Sequence, residues 1–268
     1  MAPILPNNFD VSKVSFTEPK VNDLGGKSVW VNYDGAPFIV ETTLMPMPFD
    51  INMYDDPKIG RKYSVDLSFR DMESNPKVKA LMDMLHTLDE RIVEEASNQS
   101  FAWFKVKNQS QEVCKALYNP MLKYARDKVT GDINPQYKPT MSIKLPMQRD
   151  NKAFAFKLFD KARKPIDVTL ENGFDIESTF TRGSSIRCIM QCKGLWFVNG
   201  NFGCTWRARE MKLIPGSAPT ACSFADDDDD MDTDVVIDHI VSDIGFAPQQ
   251  QQEPYSMNDI ADDLSDGM

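Results

Sequence analysis

Three early stretches, residues 27–33, 36–44 and 62–70, alternate β-branched or aromatic residues with polar ones and are separated by turn chemistry such as Asp34-Gly35. They predict strands. The period then changes to helical over residues 75–97, where Val78, Leu81, Met82, Leu85, Leu88, Ile92 and Ala96 form one apolar stripe behind Asn75 as N-cap and Pro76 at the first helical position. An aromatic strand is expected over 101–107. A second helix, capped by Ser110, follows from Val113, Leu117, Met121 and Tyr124 and should run to about Asp127, with a kink at Pro120. Strand patterns return at 140–145, 153–159, 165–170, 184–198 and 202–214, the last two forming a long hairpin around Asn199-Gly200. These elements predict a mainly β protein, a Greek-key barrel with a helical insertion spanning residues 1–224, with helices near 75–97 and 110–127.

The last 44 residues are different in kind. From Ala225 onward there are 14 acidic residues and no Lys or Arg, including Asp226, Asp227, Asp228, Asp229 and Asp230 in a row, then the glutamines 249–252. Such a segment cannot offset its ordering entropy by burial, so residues 225–268 are expected to be a disordered acidic tail. Two apolar clusters interrupt it, one from Val235 to Phe246 and one from Tyr255 to Leu264, and the first has the spacing of a helix that folds on a partner.

Charge, read in parts, changes the picture. The chain carries −10 overall, but removing the tail leaves 30 basic and 26 acidic residues, a net +4. Residues 101–212 hold 20 basic against 10 acidic residues, so cationic surface is concentrated in the second half. No apolar run approaches the roughly 18 residues needed to cross a bilayer, and no secretory signal is visible, so an intracellular protein without a membrane partner is expected. The five cysteines, scattered in a chain of 268 residues, read as free thiols, and Cys188 and Cys192 lack the second ligand pair of a zinc site. His86 and His239 are the two histidines. No phosphate loop, serine elbow or zinc-protease helix is present, which weighs against an enzyme; no cofactor or metal is expected.

Cations and aromatics meet in the hairpin, where Arg187, Lys193, Arg207 and Arg209 are interleaved with Trp196, Phe197, Phe202 and Trp206. That mixture suits single-stranded nucleic acid, whose phosphates meet Lys and Arg while its bases stack on aromatic rings. Strand alternation puts Arg207 and Arg209 on one face and Trp206 on the other, toward the core. A three-residue turn at 199–201 would set Lys193 opposite Arg207, whereas a two-residue turn would set Cys192 there; the former is preferred. Further candidates are Lys105 and Lys107 beside Trp103 and Phe104, Lys144, and Lys152 with Phe156, although Phe154 and Phe156 also suit an inner barrel face and 101–107 an ordinary half-buried strand. The acidic tail, if more than a solubilising run, competes with nucleic acid for a cationic groove at high effective concentration.

The segments KYSVDLSF (62–69), NPKVKALMDMLHTLDE (75–90), ALYNPMLKYARDKVTGDINPQYKPTMSIKLP (116–146) and CKGLWFVNGNFGCTWRAREMKLIP (192–215), followed by an acidic tail, give the chain a resemblance over residues 60–215. It resembles the single-stranded-DNA-binding proteins of nucleocytoplasmic large DNA viruses, related to those of short-tailed bacteriophages. The resemblance implies an OB-fold barrel, binding of single-stranded DNA in replication, recombination and repair, and a tail that docks DNA polymerase, helicase or primase. It places such a protein in the host nucleus or at a cytoplasmic viral replication site; a homodimer is left open. Phage relatives typically end on an aromatic residue, whereas this chain ends Asp266, Gly267, Met268, so docking is expected to use Phe246 or Tyr255. The competing readings are an acidic-tailed chaperone of basic proteins and an RNA-binding interaction protein.

Overall fold

The computed structural model describes residues 2–21, 26–56 and 60–216. Expectations for residues 225–268, including Asp226, Asp227, Asp228, Asp229, Asp230, Phe246 and Tyr255, therefore lie outside the described residues.

Short strands dominate the first quarter: β1 (Val14–Phe16), β2 (Lys20–Val21), β3 (Lys27–Val29), β4 (Val31–Tyr33), β5 (Ala36–Pro37), β6 (Ile39–Glu41), β7 (Met45–Pro46) and β8 (Asn52–Asp56) lead to the longer β9 (Gly60–Ser68). Helices α1 (Pro76–Asn98), α2 (Ser100–Phe104) and α3 (Gln111–Leu117) follow. The chain returns to β structure through β10 (Tyr118–Asn119), β11 (Thr140–Leu145), β12 (Lys157–Phe159) and β13 (Pro165–Ile166). After a short α4 (Ile176–Thr179) it closes with the hairpin β14 (Ser185–Val198) and β15 (Asn201–Ile214).

Register fixes the architecture. β9 runs antiparallel to β11, β11 parallel to β15, β15 antiparallel to β14, and β14 antiparallel to both β6 and β7. β8, just downstream of β7, pairs antiparallel with β9 and so completes the ring. Taken together as one bent strand, β6–β8 is the first of five in the circular order 1-2-3-5-4, with the third and fifth parallel. That is the Greek-key barrel of the OB type, here with the helices inserted between the second and third strands.

Helix α1 forms where the apolar stripe predicts it. Asn75 caps it by accepting the Lys77 N–H at 3.0 Å, and Val78, Leu81, Leu85, Leu88, Ile92 and Ala96 are buried, joined by Met84, while Met82 is only half-buried. Each large member of that stripe contributes about 1.5–3 kcal/mol relative to exposure. A second tether is polar: Asp89 accepts the Tyr118 hydroxyl at 2.5 Å and the Met121 N–H at 3.3 Å, which pins α1 to the β10 end of the barrel. Burial outweighs those bonds and pushes the Asp89 carboxyl up to about 7.

Several local expectations give way. Residues 101–107 are not a strand: Ser100–Phe104 is a helical turn that buries Trp103 and ends on Lys105 in the left-handed region at φ 62°. The second helix stops at Leu117, ten residues early, because Pro120 follows and Tyr118–Asn119 pair instead with Phe202–Gly203 of β15. Within 153–159 and 165–170 only Lys157–Phe159 and Pro165–Ile166 are strands, although Phe154 is core as its alternation allows. The hairpin turn is the two-residue Asn199-Gly200, with Val198 opposite Asn201. Yet Cys192 does not face Arg207 either, since bulges take Lys193 of β14 and Arg209 of β15 out of the one-to-one register, and Gln191 takes that place.

Candidate nucleic-acid interface

The outer surface of β15 is where the barrel gathers its cations. One lateral row crosses the sheet as Asn52, Ser64, Lys144, Arg207 and Gln191, each directly opposite the next. Members of such a row point to one face, so Lys144 and Arg207 stand side by side. Five residues along β15, roughly 15 Å, a second row sets Arg187 opposite Lys212 and Lys212 opposite Phe159. Between the rows, Arg209 is exposed at its bulge. Like charges directly opposite each other cost stability unless a counter-charge lies beside them.

Carboxylates line this track. Glu41 pairs with Arg187 at 2.7 Å and Glu210 with Lys157 at 3.2 Å. Arg163, at φ 64° in the β12–β13 turn, lines the same groove as Arg187 and Lys212. Near the first row, the Arg207 guanidinium donates to Gln191 Oε1 at 3.4 Å and Lys123 Nζ to Ser142 Oγ at 3.1 Å. Ser142 in turn bonds Asp66, whose other oxygen accepts from Asn52 at 2.9 Å. Lys62 and its cross-strand partner Tyr54 extend the face beyond Ser64. The half-buried rings Tyr54 and Phe159 thus flank the track at either end.

The sequence-derived candidates divide. Lys144, Arg187, Arg207 and Arg209 share the β15 face. Lys193 does not join them: it is 6% exposed, with Nζ 4.8 Å from the Trp30 ring centroid, because the bulge turns it under that indole. Trp196 is buried flat against Gly203, leaving no room for a base, and Phe156 is buried beside Phe154 and Phe180. Phe197 is half-buried, stacked on Phe202 at 5.9 Å with Lys27 Nζ 4.4 Å from its ring. Burial, together with the nearby Lys105 charge, lowers the Lys27 pKa. Lys152 is exposed but paired with Glu171 at 2.8 Å. Lys105 and Lys107 lie on the turn after α2, with Nζ 5.7 and 6.0 Å from the exposed Phe101 ring, in a separate cationic patch.

Sequence reasoning missed Lys62, Lys123, Lys157, Arg163 and Lys212. Strict alternation puts Lys212 with Trp206 and Ala208 on the inner face, and only the Arg209 bulge returns it to the outside. Among the described residues no group of three or more His, Cys, Asp or Glu is placed to hold a metal ion, and no helix is long and apolar enough to cross a membrane.

No protein-family model matches the chain, and no curated protein does. Among solved structures, it is similar to the single-stranded-DNA-binding protein of bacteriophage Enc34 in complex with single-stranded DNA, at 14% identity and TM-score 0.40, over 76% of this chain and 97% of that one. It is also similar to gp2.5, a single-stranded-DNA-binding protein encoded by bacteriophage T7, at 15% identity and TM-score 0.38, over 70% and 97% of the two chains. Likeness at that level carries no functional argument, and the OB assignment rests on the strand order.

Proposed function

We propose that the chain is a non-catalytic, sequence-independent single-stranded-DNA-binding protein of a large DNA virus, which protects and organises single strands during replication and recombination inside the host cell. The observation that carries this reading is the pairing of Lys144 with Arg207 and of Arg187 with Lys212 on one outer face of an OB-type barrel. An extended strand laid along β15 would place phosphates on these cations, with Tyr54 and Phe159 as stacking platforms. The resemblance of residues 60–215 supports the same reading. The acidic residues 225–268 act as an attached competitor for the track and, when displaced, dock replication partners through Phe246 or Tyr255.

Fluorescence titration with single- and double-stranded oligonucleotides tests the assignment. The intact chain should prefer single strands, and the Lys144→Ala/Arg207→Ala variant should bind them at least about tenfold more weakly, as expected when two charge-assisted hydrogen bonds to phosphate are removed. Equal affinity for both forms of DNA, or an unaffected variant, would overturn it. Stronger binding of basic proteins by the isolated tail than of DNA by the body would favour the chaperone instead.

A further inference from the structure

Cys192 and Cys204 stand on adjacent strands of the hairpin with their sulfurs 3.3 Å apart. Neither is opposite the other in the ladder: Cys192 faces Trp206 and Cys204 faces Leu195, and the bulge at Lys193 lies between the two registers. Cys192 is buried, whereas Cys204 is partly buried and lines a surface cleft that Lys123 and Lys144 also line. The other described cysteines, Cys114 and Cys188, are buried.

We propose that Cys192 and Cys204 form a reversible dithiol/disulfide modification site, oxidised by a peroxide that enters the cleft, and that the oxidised form holds single strands more weakly. In the first step a cysteine thiolate attacks the peroxide: an S–O bond forms, the O–O bond breaks, and one water leaves after protonation. The second sulfur then attacks the sulfenic sulfur, the S–S bond forms, the S–O bond breaks, and the hydroxide departs as water with the second thiol's proton. Two thiols and one hydrogen peroxide give one disulfide and two waters, the sulfurs supplying two electrons. The Cys192 contact and burial hold the Cys204 thiol pKa well above its ordinary value, which lowers the thiolate fraction and slows the first step.

The bond shortens the sulfur separation from 3.3 Å to about 2.05 Å. That contraction falls on the backbone beside the bulge. Cys192 adjoins Gln191, which accepts from Arg207, and Trp206 adjoins Arg207 itself, so closing the bond displaces Arg207 relative to Lys144.

Tryptic peptide mapping of the full chain under native conditions reads the bond directly. After peroxide, peptide 188–193 should be linked to peptide 194–207, with reversal by dithiothreitol. Because the first peptide also contains Cys188, the link should persist in Cys188→Ser and vanish in Cys192→Ser. Absence of the link in the wild-type chain would overturn the proposal, and that readout needs no variant to fold. Oligonucleotide titration of reduced and oxidised chain, which rests on the function proposed above, should show an affinity loss of about fivefold or more, the low end of typical coupling between sites. A link formed with unchanged affinity would overturn the coupling. Failure of the reduced chain to bind single strands would overturn the functional reading while leaving the peptide map to decide the modification.

Discussion

Gly194 holds φ at +113°, and a Cβ there would lie 2.3 Å from the Val29 carbonyl oxygen and 3.0 Å from Trp30 Cα. Its role is to let β14 press against β3 just beyond the Lys193 bulge. Gly194→Ala should therefore destabilise the barrel by about 2 kcal/mol or more, read as a fall in the denaturation midpoint; an unchanged midpoint would show that β3 can move aside. Asp89 makes a prediction of opposite character. With its pKa raised to about 7 in the fold, the native state holds a proton that the unfolded chain has released. Its contribution is fully present below the unfolded pKa of about 4 and is lost as pH rises toward 7. Asp89→Asn should flatten this part of the profile, so that the wild type's stability relative to the variant declines between pH 4 and 7. A constant difference across that window would refute the shift. Neither glycine nor carboxylate could be singled out from sequence: one is defined by the backbone it meets and the other by its burial.

Among the elements, α1 and the β14–β15 hairpin show how far pattern carries. The helix was legible to within a residue because its cap, first-turn proline and apolar stripe all lie within one stretch of chain. Asn75→Ala should cost about 1 kcal/mol, shifting the denaturant midpoint without changing the slope, since the cap is local and the unfolded surface is the same. The hairpin was legible as strands but not as register. Two bulges decide which residues face outward, and they moved Lys193 in and Lys212 out. Residues 101–107 failed for another reason. Trp103 and Phe104 carry strand propensity, but their packing against Phe16, Phe197 and Phe202 favours a helical turn.

For the molecule as a whole, electrostatics supplies the tests. Single-strand affinity should fall linearly in log–log terms with salt, and replacing Lys144, Arg187, Arg207 and Lys212 together by Ala should reduce the slope's magnitude by up to about 3, at roughly 0.7 for each phosphate no longer neutralised. A slope left unchanged would place the nucleic acid elsewhere, the Phe101, Lys105 and Lys107 patch being the next surface to alter. Deleting residues 225–268 should tighten binding, most at low salt, because an attached polyanion is a screened competitor. Weaker binding by the truncated chain would count against that role.

Sequence alone determined the division between a cationic body and an acidic tail, the mixed β and helical composition, the position of α1 and the candidacy of the hairpin. Each of these depends on composition or on periodicity within one segment. Only the tertiary structure decided that β6–β8 closes the ring onto β9, that Lys144 stands opposite Arg207, and that Trp196 and Phe156 belong to the interior. Those outcomes depend on which strand lies beside which and on single-residue bulges. A shift of one residue reverses every side chain beyond it, and nothing local in the sequence announces it.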